Sequence, residues 1–152
     1  MMLRTHLALT FAAIFLFIPY VSNQFVFVIA ALVTVFIPDI DSAFSFLGDS
    51  KGGKFIQFFV KHRGILHSLT FCLAISFVLA FFIPVLALPF FLSYSIHIFS
   101  DSFTKKGVTP FWPSQKVSKW NITTGGIKET GIFVFVIILD LILLFFALGR
   151  VL

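Results

Sequence analysis

The sequence predicts an all-α integral membrane protein, in which residues 1–152 form a single domain built as a bundle of about five short transmembrane helices. Hydrophobic residues make up 59% of the 152 residues, charged residues only 11%, and phenylalanine occurs 24 times. A soluble domain has about half apolar and about a quarter charged residues, so this chain is too apolar to be one. Its apolar runs are separated by polar breaks, which indicates several spans rather than one.

The first two apolar segments, residues 7–21 and 25–37, flank the polar break Ser22-Asn23-Gln24. A helix needs about 20 residues to cross the ~30 Å hydrocarbon core, so each segment is short for one span and the two together are too long. We therefore expect a helical hairpin whose arms tilt, recruit flanking polar residues or thin the bilayer locally.

The three remaining apolar segments cover residues 65–83, 85–100 and 131–148. The first of these is long enough to cross the bilayer alone. Pro89 is expected near the first turn of the next helix, where a missing N–H costs little. The last segment carries Asp140 in its middle, and a carboxyl at that depth should face the bundle and be protonated or paired.

The basic residues predict an orientation. With five spans, ten of the eleven lysines and arginines fall on the side of the N-terminus, and only Arg150 lies opposite. We expect the protein in the inner membrane, and the positive-inside rule then predicts that the N-terminus and both long loops lie in the cytoplasm. The formal charge of +5, concentrated at that face, favours membrane lipids as partners, and no nucleic acid is expected.

All the histidines and most of the aspartates lie at ends of apolar segments that would share this face. These candidate metal ligands are His6, Asp39, Asp41, His62, His67, His97 and Asp101. A helix through His97 and Asp101, four residues apart, places both on one side, where they would hold one ion. His62 and His67 stand five apart, about 140° around a helix, so Gly64 is expected in a non-helical entry with His67 in the first helical turn.

Imidazole and carboxylate ligands together suit zinc, manganese or iron better than calcium or magnesium, which prefer oxygen alone. Zinc is expected first, either as one ion with outer-shell partners or as two bridged ions. A divalent ion supplies a Lewis acid and acidifies water, which is the chemistry of metal-assisted hydrolysis. Arg63 would hold a phosphate or carboxylate group by two parallel hydrogen bonds, and Asp41, if free of metal, would be the general base.

The long loop after the fourth apolar segment is expected to frame this site. Thr104, Gly107 and Pro110 should shape a turn beside the end of that segment. Glu129, which precedes the last apolar run, is expected to be a solvated charge.

Four short motifs lie between residues 5 and 113: THLALT, PDID, HRGILHS and HIFSDSFTKKGVTPFWP. In this order they resemble the YdjM-like family of membrane-bound metal-dependent hydrolases, also described as LexA-binding inner-membrane-associated hydrolases. The resemblance covers most of residues 5–113 and implies a multi-span helical fold and a metal-dependent hydrolase. It carries over Arg63 and the seven candidate ligands as motif positions. Lys105 and Lys106 depart from the less basic turn expected before Gly107, and no motif here explains LexA binding physically.

Three classes of function fit these residues. A membrane-embedded hydrolase acting on a lipid or lipid-linked phosphoester or ester is favoured, because the candidate ligands lie at headgroup level with a basic rim. A metal or proton carrier would place ionisable residues inside spans, but only Asp140 lies deep. The third class is a non-catalytic metal-binding scaffold or regulator.

Overall fold

The computed structural model describes residues 1–39 and 65–151, and within these ranges it contains five α-helices. They are α1 (Leu3–Phe17), α2 (Gln24–Thr34), α3 (Leu69–Phe82), α4 (Pro84–Ser102) and α5 (Ile127–Val151), with a 3-10 turn at Ile18–Tyr20 after α1. The predicted all-α fold of five helices is confirmed. Of the predicted site residues, Asp41, His62 and Arg63 lie outside the described residues.

Three of the described helical stretches are long and apolar enough to cross a membrane: Leu3–Tyr20, Pro84–Ser102 and Ile127–Gly149. The α2 and α3 helices have 11 and 14 residues. At 1.5 Å per residue they extend about 17 and about 21 Å, less than the ~30 Å hydrocarbon core. Several phenylalanines lie on the outside of the bundle, and three of them, Phe77, Phe81 and Phe145, are at least 76% exposed. Such an apolar exterior is suited to contact with lipid.

The start of α3 differs from the prediction. Ser68 precedes the helix with an extended backbone, and its hydroxyl oxygen accepts a hydrogen bond from the Phe71 N–H at 3.1 Å. Ser68 is therefore the N-cap, and His67 lies before the helix rather than in its first turn. The prediction for His67 is wrong because a serine directly before an apolar run is itself a helix-start signal. The segment 65–83, which was expected to cross the bilayer alone, therefore contains the shorter helix Leu69–Phe82.

Proline placement in α4 also differs from the prediction. Pro84 occupies the first helical position, whereas Pro89 lies inside the helix. The first position suits proline because its fixed φ is helical and the N–H it lacks would have no partner there. Pro89 instead removes the N–H that would bond to the Val85 carbonyl. Contacts of α4 with α1, α2 and α3 support the helix despite this loss, since tertiary packing supplies most helical stability.

The central helix of the bundle is α4. It packs against α1, α2 and α3, while α5 packs against α1. One buried cluster contains Cys72, Phe90, Tyr94, Ile98 and Val108, and a second contains Ile14, Phe27 and Ala31. The start of α1, the end of α2 and the start of α3 are thereby gathered around the last turns of α4.

The loop between α4 and α5 folds back against the end of α4 through two isolated β-bridges. The Thr104 hydroxyl donates to the Asp101 carbonyl at 2.7 Å and accepts from the Gly107 N–H at 3.2 Å. The Leu69 N–H donates to the Pro110 carbonyl at 2.8 Å, which ties the loop to the start of α3. The loop thus forms a turn at Thr104 and Gly107, where the sequence predicts one.

Gly107 is expected to be intolerant of any side chain. Its φ is +66°, and an added Cβ would lie 2.4 Å from the Ser118 carbonyl oxygen and 2.7 Å from the Lys119 Cβ. We expect Gly107→Ala to destabilise the protein by roughly 1–3 kcal/mol, from backbone strain and steric overlap together. Thermal unfolding in detergent measures the effect. Gly131→Ala is the control, because a Cβ there meets no atom of the described residues within 4 Å. Equal melting temperatures for the two variants would contradict the prediction.

Candidate metal centre

Five of the predicted ligands meet at one end of the bundle. His6 lies in the first turn of α1, Asp39 follows α2, His67 precedes α3, and His97 and Asp101 lie in the last two turns of α4. They form two overlapping groups, His6 with His97 and Asp101, and Asp39 with His67 and His97. Within each group, one ligand atom per residue lies within 4.8 Å of the others. Residues from both halves of the chain therefore share one site.

The three imidazoles turn their Nε2 atoms toward carboxylates. The His6 Nε2 lies 3.3 Å from the Asp101 Oδ1, the His67 Nε2 lies 3.6 Å from the Asp39 Oδ1, and the His97 Nε2 lies 3.7 Å from the Asp39 Oδ2. Two ligand atoms bound at about 2.0–2.1 Å to a tetrahedral ion stand roughly 3.3 Å apart. The observed separations therefore match the spacing of ligands around one small divalent ion.

The other ring nitrogen of His97 and of His6 is held by an outer group. The His97 Nδ1 lies 3.0 Å from the Val35 carbonyl oxygen, which only accepts, so Nδ1 carries the proton. The His6 Nδ1 lies 2.9 Å from the Ser100 hydroxyl, which donates its own proton to the His97 carbonyl at 2.9 Å. The His6 Nδ1 must then be the donor to Ser100. In its neutral form each ring therefore presents an unprotonated Nε2, the tautomer that binds metal.

These two Nε2 atoms are buried without a hydrogen-bond partner among the described residues. The His6 and His97 side chains are 1% and 0% exposed. An unpaired buried acceptor costs about 1–3 kcal/mol. A cation between the rings and the carboxylates would satisfy both lone pairs. The residues therefore fit a divalent metal ion.

The ring arrangement limits how many ions His97 can serve. The His6 and His97 rings stack with centroids 3.9 Å apart and planes inclined by 4°, while the His67 ring meets His97 edge-on at 5.8 Å. Because its Nδ1 bonds to Val35, His97 offers only Nε2. The two groups thus share one ligand atom, which favours a single ion at His97 over two ions bridged by it.

Asp39 is the most accessible of the five residues, with 44% of its side chain exposed. Partial burial raises the pKa of its carboxyl, but contact with His67 and the neighbouring His97 and His6 imidazoles lowers it more. Its pKa therefore lies below the ordinary value of 3.8. Asp39 is ionised at neutral pH, as a metal ligand or a general base requires.

Asp101 is buried and lies between two positive or potentially positive groups. Its Oδ1 contacts the Met1 amino group as well as the His6 Nε2. The carboxyl group is 4% exposed, and a buried carboxylate is retained only where such partners compensate its charge. Asp101 therefore contributes a buried negative charge to the site, whereas that of Asp39 is partly exposed.

Glu129 was expected to be solvated, and this prediction is wrong because the side chain is fully buried. Its Oε1 accepts hydrogen bonds from the Met2 N–H at 2.5 Å and the Thr5 hydroxyl at 2.9 Å, and its Oε2 accepts from the Gly125 N–H at 2.6 Å. These bonds join the start of α1 to the start of α5, and they hold the turn that carries His6. An acidic residue in a first helical turn was the available signal.

Asp140 lies deeper in α5 and is 6% exposed, so the prediction that it faces the bundle is confirmed. Its Oδ1 is buried and has no hydrogen-bond partner among the described residues. Val136, one turn earlier on the same face, is also buried. Asp140 is separate from the two ligand groups around His97.

Comparison with known proteins agrees with this architecture. The model of the family described as YdjM inner membrane protein matches residues 1–151. The inner membrane protein YdjM of Escherichia coli (strain K12) and that of Shigella flexneri are each 40% identical over 93 residues, covering 55% of this chain and 47% of the relative. The chain therefore spans about half the length of these relatives, and no solved structure matches it. Since the family match covers nearly the whole chain, the protein belongs to the YdjM inner membrane protein family.

Proposed function

We propose that this protein is a metal-dependent hydrolase that acts on a lipid or lipid-linked phosphoester or ester at the membrane surface. The observation that carries the proposal is the pair of buried, unpartnered Nε2 atoms of His6 and His97 beside Asp101 and Asp39. This mixture of imidazole and carboxylate suits zinc first, then manganese or iron. When bound, such an ion supplies a Lewis acid for a phosphoryl or carbonyl oxygen and lowers the pKa of water.

The residues of the site divide into ligands and groups that orient them. The Val35 carbonyl and the Ser100 hydroxyl fix the rings of His97 and His6. Outer partners of this kind set the tautomer and raise the basicity of the ligand. Asp39, ionised and half-exposed, lies where it would take a proton from an attacking water if it is not itself a ligand. Asp41 as general base and Arg63 as phosphate-binding residue remain predictions from the sequence.

A lipid substrate is supported by where the ligands lie along the helices. His6 and Asp101 lie near the ends of the candidate spans Leu3–Tyr20 and Pro84–Ser102, which favours a centre at the membrane surface. The loop after α4 adds exposed lysines at positions 105, 106, 116 and 119, and the first turn of α5 adds Lys128. Basic residues at a membrane surface attract anionic headgroups. The cytoplasmic orientation is the expectation from the positive-inside rule.

Elemental analysis of the detergent-purified protein, combined with hydrolysis assays on generic phosphoester and carboxyester lipids, tests the proposal. We expect stoichiometric divalent metal and hydrolysis of one lipid class. Activity should be lost on chelation and restored by zinc, manganese or iron. Folded protein that takes up none of these metals would contradict the proposal. Bound metal with no hydrolysis of either lipid class would favour the scaffold or regulator instead.

A metal or proton carrier is the second candidate, and Asp140 is the observation that favours it. Its carboxyl is buried within a candidate span, and its Oδ1 has no hydrogen-bond partner among the described residues. Ionisable groups inside spans often mark ion or proton pathways. Ion or proton flux into liposomes that is lost in Asp140→Asn would support the carrier. Lipid hydrolysis without flux would support the hydrolase.

A further inference from the structure

Two adjoining cavities lie between the loop after α4 and the start of α5. One has a volume of about 530 Å³ and is mainly apolar, with Phe103, Ile122, Ile132 and Phe135 among its lining residues. The other has a volume of about 250 Å³ and is lined by Lys105, Asn121, Thr123, Gly126, Ile127 and Lys128. Asn121 and Lys128 line both cavities, so the two cavities adjoin at these residues.

Lys105 and Lys128 line the smaller, more polar cavity, and no acidic residue is among the described residues that line it. Glu129 is adjacent in sequence, but its carboxylate accepts three hydrogen bonds from Met2, Thr5 and Gly125. These contacts direct Glu129 into the bundle, away from the lysines. The cavity is therefore complementary to an anion.

Backbone hydrogen bonds build the floor of both cavities. The Lys105 N–H donates to the Ile122 carbonyl at 2.9 Å, and the Ile122 N–H donates to the Phe103 carbonyl at 3.2 Å. The Trp120 N–H donates to the Thr104 carbonyl at 3.2 Å. These bonds fix Lys105 beside the start of α5 and hold Phe103 next to Ile122. The site is largely formed before any ligand arrives.

The charged and apolar lining residues lie at different depths along a candidate membrane span, with the charged residues nearest its end. A candidate span begins at Ile127, so Lys128 lies in its first turn, with Ile132 and Phe135 one and two turns deeper. Trp120 lines the apolar cavity and is 71% exposed, and tryptophan prefers headgroup level. Positive charge at the surface and apolar space below it match the phosphate and the acyl chain of a phospholipid.

We infer that the two cavities form a binding site for one anionic phospholipid. Its phosphate lies between Lys105 and Lys128, and an acyl chain lies against Phe103, Ile132 and Phe135. The positive charge of the two lysines favours an anionic headgroup. The adjoining apolar cavity favours a lipid over soluble phosphate. The site does not depend on the proposed metal chemistry, because none of its lining residues is a predicted metal ligand.

Native mass spectrometry of the detergent-purified full chain tests the charged half of the site. The protein is mixed with equal amounts of phosphatidylglycerol and phosphatidylcholine that carry identical acyl chains. We expect preferential retention of phosphatidylglycerol, and a loss of preference of roughly fivefold for each lysine removed in Lys105→Gln and Lys128→Gln. The matched control is the Lys116→Gln, Lys119→Gln double variant, which removes two exposed lysines of the same loop. Equal losses in the test and control variants, or no preference in the wild type, would overturn the inference.

Gly131→Leu tests the apolar half. Gly131 lines the apolar cavity, and a Cβ there would meet no atom of the described residues within 4 Å. A leucine side chain at this position should occupy part of the cavity and lower phosphatidylglycerol retention although both lysines remain. Unchanged retention would overturn the placement of the acyl chain. Melting temperature and metal content, measured on the same samples, should match the wild type in every variant.

Discussion

His97→Ala should weaken metal binding by more than about 100-fold, beyond the range observed for loss of an outer-shell partner, and abolish any hydrolysis that depends on the ion. His97 belongs to both ligand groups in the described part of the chain, and its Nε2 has no hydrogen-bond partner there. Membrane insertion should be unchanged, because His97 is buried and its replacement leaves the exposed apolar residues of the helices in place. Elemental analysis and titration of the metal-free protein measure the effect.

His97→Asn separates loss of a ligand from loss of packing. The asparagine amide can donate to the Val35 carbonyl in place of the imidazole Nδ1–H, but it has no atom at the position of Nε2. We expect this variant to keep a near-native melting temperature and to lose the metal. Ser100→Ala is the matched outer-shell control, because it removes only the hydroxyl beside the His6 Nδ1. Its affinity should fall by roughly 10–100-fold. Full metal occupancy in both His97 variants would show that His97 is not a ligand.

The approximate position of the site could be predicted from the sequence because the apolar segments carry their ionisable residues at their ends. Consecutive helices reverse direction, so residues at the starts of α1 and α3 meet those at the ends of α2 and α4. The spacing of His97 and Asp101 added a second constraint, since residues four apart share a helix face. Together, the alternating helix direction and this spacing predicted that His6, Asp39 and His67 lie near His97 and Asp101. The role of each as a metal ligand stays a prediction.

The outer partners could not be predicted in the same way. The Val35 carbonyl that accepts from His97 is a backbone group, so its identity leaves no signal in the sequence. Ser100 faces His6 only after α1 packs against α4. Tertiary contacts, rather than local sequence, decided these two features. The late start of α3 is different, because it had a local signal in the Ser68 cap, but Ile65 and Leu66 before it favoured a longer helix.

Glu129→Ala should loosen the start of α1 and weaken metal binding although no ligand is removed. The Glu129 carboxylate accepts three hydrogen bonds, from Met2, Thr5 and Gly125. A hydrogen bond to a charged group contributes about 1.5–3 kcal/mol, so losing all three should lower the free energy of unfolding by several kcal/mol. Met2 and Thr5 precede His6 in the same helical turn, so the His6 Nε2 should lose its fixed position. Thermal unfolding in detergent and metal titration measure the two effects.

The neighbouring residue provides a matched control for Glu129. Lys128→Gln changes an exposed charge one position away and should alter neither melting temperature nor metal affinity. Excess metal should also recover part of the melting temperature of Glu129→Ala, because a ligand that binds only the folded state stabilises it by an amount that grows with the logarithm of the free ligand concentration. That recovery should be absent in the Glu129→Ala, His97→Asn double variant, since the ion then has no site to stabilise. If Glu129→Ala unfolds at the wild-type temperature and binds metal with wild-type affinity, the contacts of Glu129 do not position His6.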